Sequence, residues 1–287
     1  MSDSLISRPE ASRNRNAAPA TSLDVVLLTG ADRLSMDSVA FSLMDTCEAA
    51  YGITYDVRVS ADALDALKSL DPEQPAADME VLRIVSMPGA DIGLLSSDTE
   101  VCPMSDCCLT CTVKHDAAKM LERLSGRTGI VLISLPLGVE GTPVAQYLDD
   151  VFSLNEWGAD MRIATIANAV GLDEFEERFF DDEPLCLSGT SEEDGVFDAR
   201  STGAVVSRLI CEAGQVLELP VVGAGCLARH VDADGDCRCR DIIRAIADPN
   251  ATVCEDVHEV TLRGLVEQGR KQEQEQKEKQ ELSVSPQ

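Results

Sequence analysis

The 287-residue chain carries 51 Asp and Glu against 24 Lys and Arg, a formal net charge of −27; a field of that sign disfavours nucleic-acid and membrane binding and favours cations or basic protein partners. A hydrophobic share of 44% supports a core, but aromatics at 3% leave Ala, Val, Leu and Ile to build it. Eleven cysteines, clustered in a chain with no apolar leader and no span of membrane-crossing length, predict a cytoplasmic protein with reduced thiols, where such clusters serve metal or redox chemistry more than disulfides.

Residues 1–22 are small, polar and Pro-containing, and predict a disordered lead. "LDVVLLTG" reads as a buried strand feeding a loop. "MDSVAFSLMDTCEAAYG" has helical spacing, with Val39, Leu43 and Cys47 four residues apart and Gly52 as its stop. "ITYDVRV" alternates like a strand, "ADALDALKSL" is a short amphipathic helix, and "EVLRIVSM" is a third strand ended by "PGAD". The stretch "CPMSDCCLTCTVKHD" then runs into a helix expected to begin near Thr112. Further strands follow at "TGIVLISLPLG", "MRIATIANAV" and "QVLELPVVG". Helices are expected at "TPVAQYLDDVF", around "LDEFEERFFDDE", at "STGAVVSRLICEAG" with Gly214 as its stop, and in "DCRCRDIIRAIADPNATV", which ends in a turn and a short strand. Strands alternating with helices predict an α/β fold, a doubly wound and mostly parallel sheet with helices on both faces. Residues 23–267 form the expected domain, and the charged run from 268 to 287 is a frayed helix or disordered tail.

The first strand and its loop look like the opening of a nucleotide-binding domain of P-loop type. A phosphate loop, however, has the form G-x-x-x-x-G-K-[ST]. Gly30 is followed here by Ala31, Asp32, Arg33, Leu34, Ser35, Met36 and Asp37, so the second Gly and the Lys are missing. The two aspartates would repel a phosphate. An ordinary turn with Ser35 or Asp37 as helix N-cap fits better. The region "LELPVVGAGCLARHVDADG" also holds no N/T-K-x-D guanine tetrad. GTP with Mg2+ is therefore not expected.

The thiols point elsewhere. Cys108 and Cys111 form a C-x-x-C knuckle, the commonest zinc-ligand spacing, at a helix entrance that favours thiolate. Cys102 ranks next as a ligand, then Cys107 or His115. The same spacing is also thioredoxin-like, although the Trp and Pro neighbours of that fold are lacking. A second group, Cys226, His230, Cys237 and Cys239, surrounds a "DADGD" turn whose Gly falls too early for a calcium loop; it is either a second thiolate site or a solvated turn. Cys47, Cys186, Cys211 and Cys254 stand alone as small core residues.

"CLTCTVKHDAAKMLERL", "SLPLGVEGTPVAQ", "IATIANAVGLDEF" and "DARSTGAVVSRLICEAGQVLEL" together resemble the nucleotide-binding domain of CobW-type metallochaperone GTPases, over most of residues 24–257. The family's cysteine motif matches at Cys108 and Cys111, and its Gly at Gly138, but its glutamate is replaced by Leu135, and the smaller C-terminal domain has no counterpart in the sequence. The resemblance implies a P-loop NTPase-type fold and Zn2+ as the cofactor. With the phosphate signals eroded, it implies a zinc sensor or adaptor in zinc homeostasis, associated through its relatives with zinc starvation and ribosome hibernation. The partner would be a basic or ribosome-associated protein. A weak GTP-dependent zinc metallochaperone and a thiol oxidoreductase are the alternatives. No catalytic residue carries over.

Overall fold

The computed structural model describes residues 22–59, 79–88, 98–102, 108–187, 197–220 and 233–284. β1 (Leu23–Gly30) is buried along its whole length, as expected for a parallel strand covered on both faces. It feeds α1 (Arg33–Asp45), after which β2 (Ala50–Val59), β3 (Met79–Ser86) and β4 (Asp98–Cys102) form an antiparallel wing. α2 (Leu109–Arg123) leads into β5 (Gly129–Ser134), and α3 (Gly141–Leu154) into β6 (Met161–Gly171). The short α4 (Phe175–Phe179), the hairpin of β7 (Pro184–Cys186) and β8 (Phe197–Ser201), and α5 (Thr202–Glu212) come next. Then follow β9 (Gln215–Leu219), α6 (Ala233–Ile246), β10 (Thr252–Cys254) and α7 (Leu262–Val284).

Eight strands make one sheet in the order β10-β9-β6-β1-β5-β2-β3-β4. β1 pairs parallel with both β5 and β6. The chain winds from β1 to β2 on one side and crosses from β5 to β6 on the other, so the strand order reverses beside β1. This is the doubly wound, mostly parallel sheet that the alternating pattern predicts, consistent with the P-loop NTPase type that the resemblance implies, and such a reversal is where open α/β sheets form a crevice. Val25, Leu27, Ile53, Val131 and Ile133 meet α2 and α3 on one face. Val26, Leu28 and Leu132 meet α1 and the start of α7 on the other. A third cluster packs α5 and α6 against Val170 and Val216.

Three local expectations change. α1 ends at Asp45, and Gly52 lies inside β2 opposite Ser86 rather than stopping the helix. A Cβ at Gly52 would stand 3.3 Å from the Met44 methyl, so this glycine serves the close packing of α1 on the sheet. β4, β7 and β8 have no counterpart in the pattern, being edge or hairpin strands too short to show a period. The helix expected at 61–70 lies outside the described residues. α7 passes residue 267 without a break: Arg270 pairs with Asp24 at 2.8 Å, and the Gln272 amide donates to the Gly214 and Asn250 carbonyls. Among the described residues, no helix is long and apolar enough to cross a membrane.

Candidate functional site

At the carboxyl end of β1 only Ala31 and Asp32 separate strand from helix. The Asp32 carboxylate caps α1, accepting from the Ser35 amide at 2.6 Å, and its other oxygen accepts from Arg178 of α4 at 3.0 Å. The expected caps therefore have other roles. Ser35 supplies the amide, and Asp37 pairs with Arg33 at 3.1 Å, because the helix begins at Arg33 and leaves both residues inside its first turns. Unsatisfied amides at a helix start attract anions; here the chain's own carboxylate meets them. Asp32, Ser35, Asn168, Glu174 and Arg178 line a small cleft beside this turn. Thr29 and Asn168 bond each other at 3.0 Å beneath it.

The next helix start is closed in the same way. Glu212 of α5 accepts from the Gly141 amide at 2.6 Å and the Thr142 amide at 2.9 Å. Gly138, the glycine matched to the family pattern, has φ of +72° and donates to the Gly30 carbonyl at 3.0 Å. A Cβ there would stand 2.7 Å from a Leu185 methyl, so the left-handed turn and the tight approach both call for glycine. Leu135, in the place of the family's glutamate, is fully buried in the core.

α2 differs. Its N-cap is Cys108 and its first residue Leu109, three positions earlier than expected, since Leu109 continues the apolar stripe of Val113, Ala117 and Leu121. Cys108 is exposed and Cys111 half-buried, three residues apart across the helix start. Cys108 lines a cavity of about 320 Å³ together with Leu137, Glu140, Leu187, Asp198 and Arg200. In its wall Arg200 bonds Asp198 at 2.6 Å and Glu140 at 2.7 Å. Hydrogen bonds from Arg200 hold the Asp198 carboxyl below its ordinary value despite burial.

Of the remaining predicted ligands, His115 and Cys102 are described. His115 follows Cys111 by one turn, and its ring packs against Tyr147 of α3 at 5.1 Å, with the Lys114 ammonium 4.9 Å from the same ring. Cys102 is buried at the end of β4 in an ionic cluster that sequence reasoning missed. Arg83 of β3 donates to both Asp116 oxygens at 2.6 and 2.7 Å, pairs with Glu100, and lies 3.9 Å from the Cys102 sulfur. The Tyr55 hydroxyl donates to Asp116 at 2.9 Å. Burial, with the Asp116 charge second, pushes the Cys102 thiol up to about 11, so with no cation bound it keeps its proton. Cys107, Cys226 and His230 lie outside the described residues. Cys237 is exposed on α6, while Cys239 is buried in the α5–α6 cluster.

Among the described residues, no group of three or more His, Cys, Asp or Glu side chains is assembled to hold a metal ion. Zinc takes four ligands, preferring thiolate and imidazole; Cys108 and Cys111 fit as two of them. Comparison with known proteins finds no matching family model, curated relative or solved structure.

Proposed function

We propose that the protein binds zinc through Cys108 and Cys111 at the entrance to α2 and works without nucleotide, as a cytoplasmic zinc sensor or adaptor that engages a basic protein partner. One contrast carries this reading. The α1 and α3 starts are met by the carboxylates of Asp32 and Glu212, whereas α2 has Cys108 as its N-cap, on a 320 Å³ cavity, with Cys111 three residues further on. A helix N-terminus lowers thiol pKa and so favours the thiolate that zinc requires. Two protein sulfurs leave further coordination positions for other donors, which suits a site that reports or passes on a metal. The GTP-dependent alternative is disfavoured by the two-residue turn after β1 and by the Asp32 carboxylate on the α1 amides.

Calorimetric titration of zinc into thiol-reduced protein tests the reading. Wild type should bind with an affinity that Cys108→Ser/Cys111→Ser weakens by at least about a hundredfold. Zinc binding that is unchanged in that variant would refute the site. Heat on adding Mg2+ and GTP would restore the GTPase alternative.

A further inference from the structure

α1 carries two large apolar side chains on its outer surface, Leu34 at 76% and Phe41 at 60% exposure. They are seven residues apart and so lie on one stripe. The helix covers β1 and β5 through Met36, Val39 and Leu43. Helical geometry turns Leu34 and Phe41 outward on the same flank as Arg33 and Met44, which reach β2 at Asp56 and Gly52.

Beside that flank the sheet continues into the wing. Strand alternation and register put Leu82 and Ile84 of β3 and Val101 of β4 on the α1 side. Leu82 and Ile84 are half-buried and Val101 exposed, and among the described residues none of the three joins an apolar cluster of the core. An outward helix stripe of two large apolar side chains, beside a wing whose Val101 is exposed, marks an interaction surface.

Charge identifies the occupant. Asp45 and Glu48, at and just beyond the end of α1, are exposed. Of the basic groups nearby, Arg33 pairs with Asp37 and Asp56, and Arg58 with Glu80. The chain as a whole carries −27. The geometry points to this face of α1 and the β3–β4 wing as the docking site for a cationic amphipathic segment of another protein, its apolar side on Leu34 and Phe41 and its lysines or arginines on Asp45 and Glu48. The surface is separate from the Cys108–Cys111 knuckle, which begins the helix on the opposite face of the sheet.

The test uses the full chain and a fluorescent synthetic helix of alternating Leu and Lys stripes, followed by anisotropy in low and high salt. Leu34→Ser/Phe41→Ser should weaken binding at least about tenfold, and added salt should weaken it further. The control Leu154→Ser, an exposed leucine at the end of α3, should leave it unchanged. Equal affinity in the double variant, an equal loss in the control, or equally tight binding of a Leu/Gln helix would each overturn the assignment. So would a dimer in sedimentation that the double variant dissolves, because a second copy would then own the face. Stripping zinc with a chelator should not alter peptide binding, so failure here and failure of the zinc reading are separately visible.

Discussion

The Arg178 guanidinium holds the Asp32 carboxylate at 3.0 Å across 146 residues of sequence. Asp32 in turn caps α1 at the point where a P-loop fold would place a phosphate. The turn after β1 is thereby tied into the scaffold by its own carboxylate. Replacing Asp32 by Ala removes the cap and should lower stability by about 1 kcal/mol, read as a urea midpoint. Asp32→Asn keeps an acceptor for the Ser35 amide and loses only the ion pair, so its loss should be smaller.

The Arg83 cluster is the stiffest link between the wing and α2. Arg83 is almost fully buried and leans on Asp116. Asp116→Ala should cost about 3 kcal/mol, because it leaves a buried guanidinium without its main partner. Replacing Arg83 by Met as well should recover part of that loss. A single variant that unfolds at the wild-type midpoint would show that the cluster is solvated.

Thiol chemistry should follow position. With the Cys102 thiol pushed up to about 11, alkylation at pH 8 should be on the order of a hundredfold slower there than at an exposed cysteine of ordinary pKa. Peptide mass spectrometry with iodoacetamide should find Cys108 modified early and Cys102 late. The folded-state value is raised, so the Cys102 thiol stabilises the fold below its ordinary pKa, and that contribution is lost as pH rises toward about 11. Stability should therefore fall over that alkaline window, and less steeply in Cys102→Ala.

The C-terminal helix is part of the body up to at least Gln272. A chain ending at Glu267 would lose the Arg270 pair with buried Asp24 and the Gln272 bonds to Gly214 and Asn250. A loss of about 2 kcal/mol is expected. Ending at Lys279 should cost far less.

Much of the sheet was legible in the chain. The run of Val25 to Leu28 is apolar on both faces, as only a central parallel strand needs to be, and Pro143 marks the first turn of α3 as its position predicts. The wing was half legible. β3 alternates only weakly, since Arg83 points inward to Asp116, and β4 is five residues long. The proposed site could be read from the chain because its chemistry is local, in Cys108 and Cys111 three residues apart. The chain was not legible where charge meets charge across the fold. Nothing near Gly141 announces Glu212, 71 residues away, and Asp32 reads as a phosphate-repelling residue until Arg178 is placed beside it.

Cobalt titration of the reduced protein tests the central claim most directly, since thiolate bound to Co2+ gives a sulfur-to-metal charge-transfer absorption that carboxylate and imidazole do not. Wild type should develop that band to a plateau, and added zinc should abolish it. Cys108→Ser/Cys111→Ser should lose the band while retaining wild-type circular dichroism. A band of undiminished intensity in the folded double variant, or none in wild type, would contradict a metal held at the entrance to α2.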